Sequence, residues 1–193
     1  MARVKRRKVY NIPGHAHELT FSCYRRWPLL ARDRTRRWAI EALDTMRHKH
    51  DVALLAYVIM PEHMHLLVYP RTPEVRIEQA QRTLKQSVAR RALRWLREHE
   101  PDFLKHLAGE SAGPRQRHHF WQAGGGYDRD ITDPATLDRA IAYIHANPVR
   151  RGLVSRPTDW PWSSACFWAQ HSDAMLVMDT MPSRTANAHG HSH

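Results

Sequence analysis

The sequence predicts an α+β fold: an antiparallel β-sheet with helices packed on one face and a further helix at the C-terminal end. Three observations lead there. Short apolar stretches of strand character alternate with long amphipathic ones in the order strand, helix, strand, strand, helix, strand. Proline and glycine mark the joints, at Pro61, at Gly124 to Gly126 and at Asp133-Pro134. The chain has 193 residues, 42% of them hydrophobic and 25% charged, enough for the core of one soluble domain.

His17 to Tyr24 reads as the first strand, with Leu19, Phe21 and Cys23 on one side. From Arg34 to His48 the apolar positions Ala39, Leu43 and Met46 recur at helical spacing. Val52 to Met60 is apolar throughout, as a strand buried on both faces would be, and after Pro61-Glu62 the segment His63 to Tyr69 resumes an extended pattern. Ile77, Ala80, Leu84, Val88, Ala92 and Trp95 trace one face of a long helix ending near Glu100, with basic residues over the rest of its surface. Pro101 to Gln116 reads as a loop, His118 to Gln122 as a short strand, Gly124 to Gly126 as a flexible turn and Tyr127 to Ile131 as the last strand. Asp133 before Pro134 is an N-cap followed by proline at the first helical position, and this helix should run to about Ala146, where Pro148 stops it. The order is that of a ferredoxin-like split βαβ sandwich with a helix added. The expected divisions are a basic arm over residues 1–14, a domain over 15–168 and a disordered, histidine-containing tail over 169–193.

Composition narrows the function classes. Lysine and arginine total 30 against 19 acids, a formal charge of +11, so polyanions are the expected partners. The longest apolar run, Val52 to Met60, is far shorter than the roughly 20 residues of a membrane-spanning helix, and no apolar signal-peptide core follows the basic Met1 to Lys8. The two cysteines, Cys23 and Cys166, are too few for a disulfide framework, which points to a reducing, cytoplasmic setting.

Two local patterns carry chemistry. In Met60-Pro61-Glu62-His63-Met64-His65 the histidines stand two apart on a strand, so they share one face at a spacing of about 6 to 7 Å, close enough to hold one metal ion. The chain has five His-X-His triplets, among them His15/His17, so the triplet alone is weak; the rigid central strand sets His63/His65 apart. In Tyr143-Ile144-His145-Ala146-Asn147-Pro148 the tyrosine and asparagine are four apart and share one helical face. A tyrosine packed on the core with an asparagine C-cap before Pro148 would produce the same pattern.

Three segments together resemble the single-tyrosine HUH transposases of the IS200-like group, and more closely their REP-associated tyrosine transposase branch. They are Tyr57 to Leu67 around the two histidines, Tyr143-Ile144 with Asn147-Pro148-Val149-Arg150-Arg151-Gly152-Leu153-Val154, and Asp159-Trp160-Pro161-Trp162-Ser163-Ser164. The resemblance implies that His63 and His65 bind a divalent metal, Mg²⁺ or Mn²⁺, that Asn147 completes the metal site, and that Tyr143 is the nucleophile. It implies a metal-dependent single-strand DNA endonuclease and strand transferase that cuts beside repetitive, REP-like hairpins through a 5′-phosphotyrosine. Nucleoid association and a monomer are expected, with a dimer that exchanges the tyrosine helix as the alternative. Arg3, Arg6, Arg7 and Lys8 of the arm, with Lys85 and Arg129, are candidate phosphate contacts. Trp121 and Tyr127 are candidate base-stacking platforms. Tyr127, after the glycine turn, is a rival nucleophile without the helical position, and Trp160 to Ser164 reads as an aromatic anchor with a packing role. The competing readings are a non-catalytic hairpin-binding regulator that keeps the fold, and an RNA-processing metal hydrolase that uses water and leaves no covalent adduct.

Overall fold

The computed structural model describes residues 14–109 and 117–181. Strands β1 (Ala16–Ser22), β2 (Val52–Ile59), β3 (His63–Pro70) and β4 (Tyr127–Ile131) form one sheet in the order β2-β3-β1-β4, antiparallel at every pairing. Helices α1 (Asp33–Lys49) and α2 (Ile77–His99) connect them as a split βαβ repeat. Alternation along the strands sends Leu19, Phe21, Met64, Leu66, Tyr57 and Ile59 to the face covered by α1 and α2, where Leu43, Met46, Leu84 and Val88 meet them. The other face carries Leu55, Val58, Leu67 and Ile131, which pack against Ala140 and Ile144 of α4 (Pro134–Arg150). With helices on both sides, β2 is buried at every residue, as its unbroken apolar run predicts.

Helix α4 begins as its sequence predicts: the Asp133 carboxylate accepts from the Thr136 backbone N–H and hydroxyl, both at 2.8 Å. It does not stop before Pro148 but continues to Arg150. Proline cannot give Ile144 its usual amide partner, and Asn147 compensates by turning its side-chain Nδ2 back onto the carbonyls of Tyr143 at 2.9 Å and Ile144 at 3.3 Å.

Other differences are local. The segment expected as a loop holds a five-residue helix, α3 (Pro101–Lys105), started by Pro101 at its first position. His118 to Gln122 makes only isolated bridges, Ala108 with His118 and Cys23 with Trp121, and is not a strand. The glycine turn is held from α2, where Gln81 Nε2 donates to Gly125 O at 2.7 Å and Lys85 Nζ to Gly124 O at 3.0 Å. Gly126 has φ +81, and a Cβ there would stand 2.1 Å from the Thr20 carbonyl oxygen, so only glycine lets β4 close against β1.

The free edge of β2 is covered by the chain after α4. Ile59 donates to Trp162 O at 2.8 Å, Ser164 donates to Tyr57 O at 3.0 Å, and the Trp160 indole donates to Ile59 O at 3.1 Å, which gives the aromatic block its packing role. The short helix α5 (Ala165–Trp168) follows. Part of the expected tail is anchored too: Met178 is buried, and Asp179 exchanges backbone and side-chain hydrogen bonds with Leu54 at 2.9 and 2.8 Å. The unpaired amides of an edge strand supply the partner that composition alone does not reveal. No described helix is long and apolar enough to cross a membrane.

Candidate active site

His63 and His65 project from β3 onto the α4 face of the sheet, as their two-residue spacing requires. Their Nε2 atoms are 3.0 Å apart and their rings stand at 84°. Each ring is held through its other nitrogen. His63 Nδ1 lies 3.2 Å from Glu62 Oε1, and His65 Nδ1 lies 2.7 Å from Thr20 Oγ1, its cross-strand neighbour on β1.

These contacts assign the protons. The Glu62 carboxylate can only accept, so His63 Nδ1 donates to it and His63 Nε2 presents a lone pair. At this spacing His65 Nε2 then donates to His63, and His65 Nδ1 accepts from the Thr20 hydroxyl. Because that hydroxyl can also accept, His65 can move its proton to Nδ1 and free the second Nε2 lone pair. The pair therefore fits a divalent ion. Two ligand atoms about 2.1 Å from a common centre and at right angles are about 3 Å apart, and each imidazole has the outer partner that fixes a ligating ring.

Electrostatics support neutral imidazoles. Burial pushes the His65 pKa down to about 4, with His63 and Arg150 adding to the shift. Burial likewise lowers His63, against the pull of Glu62. Burial alone would raise Glu62, but the hydrogen bond from Arg151, at 2.7 Å, with the neighbouring His63 ring and the Arg151 charge, outweighs it and holds the carboxyl below its ordinary range.

Tyr143 stands on α4 with its ring centroid 6.0 Å from that of His65, edge to face, and is 43% exposed. The Arg150 guanidinium lies 4.8 Å from its ring centroid. A cleft of about 540 Å³ opens here, lined by Thr20, His65 and Tyr143 and walled on the β4 side by Tyr127 and Arg129. Arg129 reaches Glu18 Oε2 at 3.7 Å and keeps half of its side-chain surface exposed. Asn147 follows one turn after Tyr143; its Nδ2 is spent on the helix carbonyls, leaving Oδ1 as the atom suited to a metal.

Two further sequence candidates, Lys85 and Trp121, lie elsewhere. Lys85 is on α2, across the sheet from the histidines, with its ammonium on Gly124 O; periodicity placed it on a helix but could not say which face of the sheet that helix covers. Trp121 is 7% exposed, donates from its indole to Lys85 O at 2.8 Å and packs edge to face on Phe21 and Phe120, so it is a core residue. Arg3, Arg6, Arg7 and Lys8 lie outside the described residues. Sequence reasoning passed over Thr20, Glu62, Arg150 and Arg151. Glu62 had a signal in its place beside His63, whereas Thr20 depends on strand register, which the sequence does not show.

A split βαβ sheet that carries a histidine pair on one face, with a tyrosine-bearing helix laid across that face, defines a class of protein rather than a single one. The model of the family described as IS200-like transposases matches residues 13–147, and the chain belongs to that family. It is accordingly a DNA-processing enzyme by family. Among solved structures it is similar to a REP-associated tyrosine transposase bound to a REP hairpin, at 18% identity and a TM-score of 0.66 over 98% of this chain and 99% of that one, which establishes the shared fold. A second structure, of a protein from Deinococcus radiodurans R1, is 21% identical with a TM-score of 0.42 over 74% of this chain and 95% of that one. No curated protein matches the chain.

Proposed function

We propose that this protein cuts and rejoins single-stranded DNA beside repetitive hairpins, with Tyr143 as nucleophile. The observation that carries the reading is the placement of an exposed tyrosine edge to face against His65, at a cleft that also presents Arg129. The Tyr143 oxygen forms a bond to phosphorus as the bond from phosphorus to the 3′ oxygen breaks. The phenol gives its proton to solvent, and the departing oxygen takes one up to become a 3′-OH. The product is a 5′-phosphotyrosine that keeps the energy of the broken ester, so a 3′-OH can later attack it and release the tyrosine.

His63 and His65, with Asn147 Oδ1, would hold Mg²⁺ or Mn²⁺, which supplies charge neutralisation at the non-bridging oxygens and the leaving oxygen. Arg150, over the Tyr143 ring, orients the phenol and adds positive charge where the phosphate must sit. Arg129 and Tyr127 face the same cleft and are suited to the flanking phosphate and an unpaired base. The hairpin substrate is supported by the shared fold with a transposase bound to a REP hairpin. The closeness of Tyr143 to His65 is compatible with action as a monomer, which we propose. A DNA substrate places the protein at the nucleoid.

The test is a denaturing gel of the full chain incubated with labelled single-stranded DNA bearing repeat hairpins from its own genome and Mn²⁺ or Mg²⁺. A metal-dependent protein–DNA adduct that disappears in Tyr143→Phe is the expected result. Binding without adduct or cleavage across several hairpins would instead indicate a hairpin-binding regulator, and RNA cleavage without adduct a hydrolase.

A further inference from the structure

The same period-two alternation that pairs His63 with His65 also pairs His15 with His17 at the start of β1, and Asp128 with Asp130 on β4. The register sets His17 opposite Asp130 and Leu19 opposite Asp128, so His17 and both aspartates share the sheet face opposite the His63/His65 pair. His17 is fully buried, and its Nδ1 lies 3.0 Å from Asp128 Oδ1 and 3.3 Å from Asp130 Oδ1. The three ligand atoms fall within 4.8 Å of one another. A single N–H at Nδ1 can serve only one carboxylate well, yet two converge on it. His15 Nδ1, a buried atom with no hydrogen-bond partner, stands 4.0 Å from the second oxygen of Asp130.

We propose that His17, Asp128 and Asp130 form a second divalent-cation site, separate from the histidine pair and independent of the transfer chemistry. One imidazole with two carboxylates, and water in the fourth position, suits Zn²⁺, whose ligand atoms at about 2.0 to 2.1 Å in a tetrahedron are about 3.3 Å apart. The role is structural. Strand β4 is a short edge strand, exposed at most positions, whose opposite face carries Tyr127 and Arg129 into the cleft. An ion that ties β4 to β1 would hold that wall in place.

The test is Zn²⁺ titration of the full chain by calorimetry and thermal melting after chelator treatment. His189→Gln, His191→Gln and His193→Gln are present throughout so that the end of the chain contributes no ligands. Asp128→Asn/Asp130→Asn should lose one equivalent of tight Zn²⁺ and the Tm rise that goes with it, and His63→Ala/His65→Ala should keep both. If the asparagine pair does not fold, Asp128→Asn alone, which leaves Asp130 with His17, should weaken that site at least tenfold. Unchanged stoichiometry and Tm rise in the Asp128 variants, or no Zn²⁺ site beyond His63/His65, would overturn the proposal.

Discussion

Arg151 donates to Glu62 Oε1 at 2.7 Å, and the same oxygen lies 3.2 Å from His63 Nδ1. The residue just beyond α4 is thereby tied to a histidine of β3 through one buried carboxylate, and the helix that bears Tyr143 is fixed relative to the histidine pair.

Glu62→Gln should lower Mn²⁺ affinity about 10- to 100-fold, because the amide aligns His63 less strongly and does not raise its basicity. Calorimetric titration of Mn²⁺ reads this directly. Arg151→Ala should have a smaller effect, since its side chain is about half exposed and the direct Glu62 contact to His63 remains.

Asn147 has two separable functions. Asn147→Asp keeps a ligand oxygen but loses the donor to the Tyr143 and Ile144 carbonyls, and should cost about 1 to 2 kcal/mol of stability by denaturant melting while Mn²⁺ binding holds or strengthens. Asn147→Ala should lose both stability and metal affinity. Equal stability of wild type and Asn147→Asp would show that the back-bonding contributes nothing.

Trp121 and Tyr127 should respond in opposite ways. Trp121→Ala removes a buried indole and should cost about 3 to 5 kcal/mol of stability. Tyr127→Ala, at a position 43% exposed on the cleft, should leave the melt within about 1 kcal/mol yet weaken single-stranded DNA binding by about 1 to 3 kcal/mol. Arg129→Ala should reduce the salt dependence of binding by about one phosphate contact, and Lys85→Met should not. Fluorescence anisotropy at several salt concentrations separates these outcomes.

His145 predicts acid sensitivity of the fold. It is buried with Nε2 2.8 Å from Ser164 Oγ, and burial lowers its pKa from 6.5 to about 4. The unfolded chain therefore binds a proton that the folded chain does not throughout that interval. Stability is fully present above pH 6.5 and is lost as pH falls toward 4, by about 2 kcal/mol at pH 5 from this group. His145→Gln should flatten the wild-type dependence of Tm between pH 7 and pH 5 by that amount; an unchanged slope would remove His145 as its source.

Much of the fold was legible because periodicity is a local property. The unbroken apolar run of β2, the alternation of β1 and β3, and the Asp133-Pro134 start of α4 are each set by a few neighbouring residues. The histidine pair was legible for the same reason, since two-residue spacing on a strand fixes a shared face. The expectation of a disordered tail misled at Met178 and Asp179, where the apolar run Met175-Leu176-Val177-Met178 brings the chain onto the edge of β2. Local rules misled at Pro148, where the side chain of Asn147 takes over the bond that proline cannot make.

The sequence by itself determined the order of elements, the basic character of the chain, the shared face of His63 and His65, and the helical spacing of Tyr143 and Asn147. Only the tertiary structure decided that α4 lies on the histidine face while α2 lies on the other, which brings Tyr143 to His65 and takes Lys85 away. Register alone set Thr20 beside His65, and packing alone set Arg151 on Glu62. The physical reason is that spacing along the chain fixes which way a side chain leaves its own element. Which element it then meets depends on how the buried faces of the sheet are divided among the helices, and on closures such as Gly126 against Thr20 that join residues far apart in the chain.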